Sequence, residues 1–246
     1  MRYFLEVSYK GTNYSGFQSQ KNANTIQAEI QKAFKTILKK ELELTGSSRT
    51  DAGVHAYQNY FHFDLEIELS SQLLYNLNAI LPNDISVKNL LKVKDHAHCR
   101  FDAVSRDYKY HIYQKKDPFL TDKAFYFPYT LDTEAMQKAA IVIKEYSDFT
   151  SFSKRNTQVK SFICDIIESK WVLQDECLIY NVKANRFLRG MVRALTATML
   201  NLGRRKIDLA TFRRIIETKD CTLANFSAPA HGLFLTEVSF PLNYFI

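Results

Sequence analysis

Apolar and polar positions change period repeatedly along the 246-residue chain, and each change marks an element. Residues 3–9 alternate and predict a strand, ended by Lys10-Gly11-Thr12-Asn13. Asn24, with Gln27 three residues on, reads as an N-cap, and Ile26, Ile30, Phe34, Ile37 and Leu38 follow at helical spacing. Residues 54–63 predict a second strand. Ser70 caps a predicted helix with Leu73, Leu74, Leu77, Ile80 and Leu81 inward, stopped by Pro82, and 85–93 return as a strand. Residues 106–113 predict a strand with Tyr108, Tyr110 and Ile112 on one face. Asp132 opens a helix through Tyr146, and 162–174 with 177–184 read as a hairpin. A long helix is predicted from about Phe187 to Leu202 with Gly203 as its C′ residue. Asp208 caps another helix, and 233–240 form a last strand.

That order predicts an α+β fold of two topologically similar halves. Each half is an antiparallel or mixed sheet with helices on one face, in the ferredoxin-like manner, and the two form a shared central cleft. The halves are 1–105 and 106–246. No low-complexity linker divides them.

Composition supports a globular protein, with 46% hydrophobic and 24% charged residues. Nowhere do 18 apolar residues run together, so no spanning helix is expected. The early charges Arg2 and Glu6 speak against a secretory signal, and a cytoplasmic address is expected. Cys99, Cys164, Cys177 and Cys221 form no C-x-x-C pair and read as ordinary thiols. His96 and His98 lack a third ligand nearby, so no metal is expected.

The net charge of +7 changes the picture because it is local. Between Arg186 and Lys219 stand nine basic residues against Asp208 and Glu217, an excess equal to that of the whole chain. Seven of the nine are arginine, whose planar fork suits phosphate. Such a face reads either as a solvated helix surface or as a seat for a polyanion, and nucleic acid is the favoured partner.

Only seven residues are glycine: Gly11, Gly16, Gly46, Gly53, Gly190, Gly203 and Gly232. A chain this sparing of glycine places it where the backbone needs a left-handed angle or a close approach. The segment 46–56 holds one carboxylate, Asp51, flanked by Arg49 and Thr50. Asp51 reads either as a turn cap or as a nucleophile able to attack a sugar carbon or an electron-poor ring. In 98–113, aromatic and basic residues alternate, and an unpaired base stacked on such a ring gains about 1–3 kcal/mol. Tyr110 reads better as core. Arg189 and Arg193 are four apart, as are Phe187 and Met191, and are expected on common helical faces.

Together these segments resemble the tRNA pseudouridine synthase A family. The resemblance runs nearly end to end, through Tyr9-Lys-Gly-Thr-Asn-Tyr-Ser-Gly-Phe-Gln18, Arg49-Thr-Asp-Ala-Gly-Val-His55, His98-Cys-Arg-Phe101, Tyr108-Lys-Tyr110, Asp148-Phe-Thr-Ser-Phe152, Phe187-Leu-Arg-Gly-Met-Val-Arg193 and Ala228-Pro-Ala-His-Gly-Leu233. Lys10, Phe17, Ser48 and Asp107 depart from the family's common residues. The resemblance implies isomerisation of uridine to pseudouridine at positions 38 to 40 of tRNA, without cofactor or metal, by a homodimer. It implies Asp51 as nucleophile, Tyr108 against the target base, Arg193 as partner of Asp51, and Arg49 in extruding the nucleotide. Attack at C1′ and attack at C6 both stay open. The alternatives are a non-catalytic RNA-binding protein of the same fold and a nucleoside-cleaving hydrolase, which would want a second acid such as Asp64 or Glu66.

Overall fold

The computed structural model describes residues 1–70, 72–155 and 159–245. Among them the elements run β1 (Arg2–Tyr9), α1 (Ile26–Leu38), β2 (Thr45–Gly46), β3 (His55–Asp64), α2 (Gln72–Ile80), β4 (Ile85–Val93), β5 (Ser105–Tyr113) and β6 (Phe125–Tyr126). There follow α3 (Thr133–Ile143), β7 (Ile166–Gln174), β8 (Cys177–Ala184), α4 (Met191–Gly203), α5 (Leu209–Glu217) and β9 (Leu233–Ser239). The chain divides into two compact units, residues 1–104 with 234–246, and residues 105–233. Both are α+β.

In the first unit the strands lie in the order β4-β1-β3-β9, with β2 on β3. β1 pairs antiparallel with β3 and β4, and β9 joins β3 in parallel through His55 and Phe234. Alternation sorts the side chains between two faces. On the helix side Tyr3 stacks on Phe63, and Phe34 of α1 meets Phe63 at 5.1 Å. On the other side Phe4 and Tyr60 are covered by Phe240 and Phe245, with Tyr244 also against Phe4. The Tyr244 hydroxyl donates to Asp102 Oδ2 at 2.5 Å. This aromatic cover is why the C-terminal segment belongs with the first unit, whereas the sequence reading carried the second half to residue 246.

Two local expectations shift. The cap of α1 is Thr25, not Asn24: Thr25 is extended at φ −134° and its side chain accepts from the Ala28 amide. Gln27 makes no capping box, because its amide bonds Leu44 O and its carbonyl takes the Ser19 N–H. In α2, Leu73, Leu77 and the following Leu81 are buried, but Ile80 is exposed.

In the second unit the order is β5-β8-β7, with β6 beside β5. The β7–β8 hairpin begins at Ile166 rather than 162. It turns through Asp175 and Glu176, both at positive φ, as a two-residue turn of matching twist requires. Tyr108, Tyr110 and Ile112 are buried as their alternation predicts. Trp171 of β7 bonds Gln137 of α3 through its amide and sets its indole N–H 3.4 Å from Met199 Sδ of α4. Asp132 and Asp208 cap α3 and α5 as expected, and α3 ends at Ile143, short of Tyr146.

The long helix is shorter than its pattern. Gly190, at φ +76°, breaks the helical path, so α4 starts at Met191. Phe187 and Arg189 therefore lie in the preceding turn and do not share helical faces with Met191 and Arg193. At the other end the left-handed residue is Arg205, and Gly203 is still helical. Gly203 answers a packing need, since a Cβ there would come within 2.5 Å of Met136 Sδ in α3.

Candidate active site

Asp51 sits in the loop between β2 and β3, half-buried, with Arg49 exposed and Thr50 buried beside it. A turn closes directly behind the carboxylate, where the Val54 N–H donates to the backbone carbonyl of Asp51 at 3.2 Å. The turn thus uses the main chain of Asp51.

The loop is held on one side by residues 10–17, the stretch that follows β1. The Phe17 amide donates to Thr50 O at 3.1 Å, and the Gly11 amide donates to His55 Nδ1 at 3.0 Å. That second bond makes Nδ1 the acceptor, so a neutral His55 carries its proton on Nε2. Gly11 lies against Val54 with no room for a side-chain carbon before the Val54 carbonyl. Gly16, at φ +105°, places its Cα where a Cβ would sit 3.1 Å from Thr50 O. The segment is itself pinned by Asp84, which takes the Lys10 amide on its backbone carbonyl and the Tyr14 hydroxyl and Asn13 amide on its carboxylate.

On the other side stands Asn59 of β3, fully buried. Its Nδ2 donates to Ser48 O at 2.8 Å and to the Tyr9 hydroxyl at 3.1 Å. Its Oδ1 accepts from the Ser48 and Tyr60 amides. The Tyr9 and Thr50 hydroxyls are 2.8 Å apart.

Tyr108 and Arg193 belong to the second unit. Tyr108 is buried on β5 opposite Val182, with Phe187 edge-on at 5.1 Å and 85°. Arg193 is the third residue of α4, where the helix dipole disfavours a cation. Its Nε donates to Ala228 O at 2.6 Å. The next residue of that stretch, Pro229, accepts on its carbonyl from the Tyr110 hydroxyl at 2.8 Å. Residues 228–229 thus brace β5 against the start of α4, and Tyr110 is the core residue its alternation suggested. The structure groups Arg49 with Asp51 in one unit and Tyr108 with Arg193 in the other.

A family model described as tRNA pseudouridine synthase matches residues 6–102 and 146–241. The chain belongs to the tRNA pseudouridine synthase family. The chain is 44% identical over 247 residues to a protein of Bacteroides fragilis named tRNA pseudouridine synthase A, covering 99% of this chain and 98% of that one. A protein of the same name from Azobacteroides pseudotrichonymphae is 42% identical over 241 residues, covering 98% and 97%. One from Staphylococcus aureus is 38% identical over 241 residues, covering 97% and 90%. Both matched stretches of the family model contain the site segments, the first Asp51 and the second Arg193; Tyr108 lies between them.

The basic segment needs a correction. Acids outside it neutralise part of its charge. Arg213 is held by Glu145 at 2.6 and 3.1 Å, Lys219 by Asp148 at 2.8 Å and Arg205 by Asp132 at 3.2 Å. The Glu145 carboxylate raises the Arg213 pKa through its hydrogen bond. Arg204 lies over the Tyr129 ring at 3.7 Å. Helix α4 is buried almost throughout and carries no charge between Arg193 and Arg204, so it is a core helix and not a cationic surface. Among the described residues no three His, Cys, Asp or Glu side chains group so as to hold a metal ion. Among the same described residues no helix is long and apolar enough to cross a membrane.

Sequence reading missed Tyr9 and Asn59. They stand 41 and 11 residues from Thr50 and Ser48, and nothing in their spacing announces the contacts. The one available signal was the clustering of scarce glycines in 11–16 and 46–53.

Proposed function

We propose that the chain converts uridine to pseudouridine within positions 38 to 40 of the tRNA anticodon arm, with Asp51 as nucleophile. The enzyme class follows from family membership: an isomerase acting on tRNA uridine. The observation that carries the site assignment is the bracing of the Asp51 loop by two glycines, one amide side chain and a hydroxyl pair. So many constraints on one carboxylate-bearing loop suit a group whose position decides a rate.

In the proposed reaction the target base leaves the stack, at a cost of a few kcal/mol. Phosphate contacts from Arg186, Arg189 and Lys206, all exposed, offset that cost. Arg49, exposed beside Asp51, helps to extrude the nucleotide. The Asp51 carboxylate attacks C1′ of the sugar or C6 of the base. The bond between N1 and C1′ breaks and its electron pair leaves with uracil. The base turns and C5 bonds to C1′; the bond to Asp51 breaks, its electron pair returning to the carboxylate, and the C5 proton is released. Substrate and product have the same composition, so no oxidant, reductant or cofactor enters the balance. Tyr108 is the ring against the base, and Arg193 the charge partner of Asp51. The proposal includes a homodimer in the cytoplasm.

The test is to map pseudouridine in tRNA after incubation, using carbodiimide adducts that stop reverse transcription. Stops confined to 38–40 support the proposal; stops elsewhere, or none, contradict it. The non-catalytic reading gains nothing from the structure, because both Asp51 and Arg193 are present within matched family segments.

A further inference from the structure

Three buried side chains outside the family motif's carboxylate and arginines hold the Asp51 loop from behind. Asn59 is fully buried, Tyr9 is 5% exposed and Thr50 is 8% exposed. Asn59 is placed by β3, directly opposite Val7 of β1, just before the irregularity that brings Tyr9 opposite Ala56. The shifted register turns Tyr9 toward the loop, where its ring lies 5.8 Å from Phe17 and its hydroxyl 2.8 Å from Thr50 Oγ1. Asn59 Nδ2 joins that hydroxyl to Ser48 O. The backbone from Ser48 to Thr50 is therefore fixed at both ends of its entry into Asp51. Ser48 is held by the Asn59 amide group, and Thr50 by Tyr9 on its side chain and by Phe17 on its carbonyl.

We propose that the Asn59–Tyr9–Thr50 hydrogen-bond chain is a positioning device for the Asp51 carboxylate, acting on the rate of the chemical step and not on tRNA binding. This rests on Asp51 being the nucleophile. None of the three touches substrate in the proposal; each acts through the backbone that leads into Asp51. Their burial argues for this function over a surface role, because a buried hydroxyl pair has no competing water and holds one geometry. A displacement of about 1 Å at a reacting group costs about a hundredfold in rate, so a partial release of the loop is readable as kinetics.

The experiment uses Tyr9→Phe, Thr50→Val, Thr50→Ser and the double variant Tyr9→Phe/Thr50→Val in the full chain. Phe keeps the ring on Phe17, and Val keeps the shape of Thr, so folding is checked by melting temperature before kinetics. Single-turnover rates and tRNA dissociation constants are measured, with Asp51→Asn alongside. The expected result is a fall of about tenfold or more in rate for Tyr9→Phe and for Thr50→Val, with dissociation constants within about twofold. Thr50→Ser, which retains the hydroxyl, returns to within about threefold of the parent, and the double variant falls no further than Tyr9→Phe, which already removes the bond to Thr50 together with the one from Asn59. Wild-type rates in the folded single variants, or a loss confined to tRNA affinity, overturn the proposal. If Asp51→Asn is inactive while Tyr9→Phe is unaffected, only the positioning role fails. If Asp51→Asn turns over normally, the functional reading fails with it.

Discussion

Gly11 packs against Val54 so closely that no side-chain carbon fits between them, and its amide donates to the ring of His55 one residue further on. The contact ties the segment after β1 to the far end of the Asp51 loop. Gly11→Ala must push the Val54 carbonyl back or break the bond to His55. We expect a loss of about 1–3 kcal/mol of stability and a fall in turnover larger than the fall in tRNA affinity. Denaturant melts and single-turnover kinetics on the same preparation check both. An alanine variant as stable and active as the parent would remove Gly11 from the account.

Tyr108 meets Phe187 edge-on, so its ring orientation is set by packing. If the ring serves the base by stacking, Tyr108→Phe retains most of the turnover, and Tyr108→Ala loses at least about tenfold more, in line with about 1–3 kcal/mol per stacked base. Equal losses in the two variants would assign the function to the hydroxyl.

The ion pairs of the second unit separate two kinds of basic residue. Arg213 already spends its fork on Glu145, whereas Lys206 is exposed. Lys206→Gln is expected to weaken tRNA binding at low salt and to reduce the salt slope by about one. Arg213→Gln is expected to leave both nearly unchanged. Filter binding across a salt series distinguishes them, and the reverse order would mean that the Arg213 pair opens on RNA.

His62 supplies a pH dependence of stability. It is buried on β3 with Nδ1 3.2 Å from Cys99 Sγ. Burial, then the neighbouring His98 and Arg2, lowers its pKa from the ordinary value of 6.5 to about 4. The unfolded chain therefore takes up a proton as pH falls below about 6.5, while the folded chain resists until about 4. Stability is complete above about 6.5, falls through that window and levels off below it, by up to about 3 kcal/mol. Melts between pH 7 and 4.5 should show the loss, and His62→Gln should flatten it. A parent protein whose stability is level across the window would contradict the burial argument.

Much of the fold was legible because local chemistry decided it. Alternation marked β1 and β5, and Asp132 and Asp208 carried their caps in the residue type itself. Misses arose where two local readings were equivalent. Asn24 and Thr25 are both good caps, and only the backbone angles choose between them. Phe187 to Leu202 has helical spacing throughout, yet Gly190 takes a left-handed angle that spacing does not reveal. The C-terminal strand joins the first unit through partners such as Phe4 and Tyr60, far away in the chain. The site divides in the same way. Asp51 was visible as the one carboxylate of a glycine-bounded loop. Tyr9 and Asn59, which hold that loop, were not, because a buried hydrogen bond across β1 and β3 leaves no spacing to read.

Tritium release from tRNA carrying uridine labelled at C5, measured with parent protein and with Asp51→Asn, separates isomerisation by Asp51 from its alternatives. Pseudouridine and uridine have the same mass, but C5 loses its hydrogen only when it becomes the link to the sugar. The account predicts stoichiometric release by the parent with the base retained in the RNA, and no release by Asp51→Asn while tRNA affinity stays within about tenfold. Release accompanied by free uracil, or release undiminished in Asp51→Asn, would contradict it.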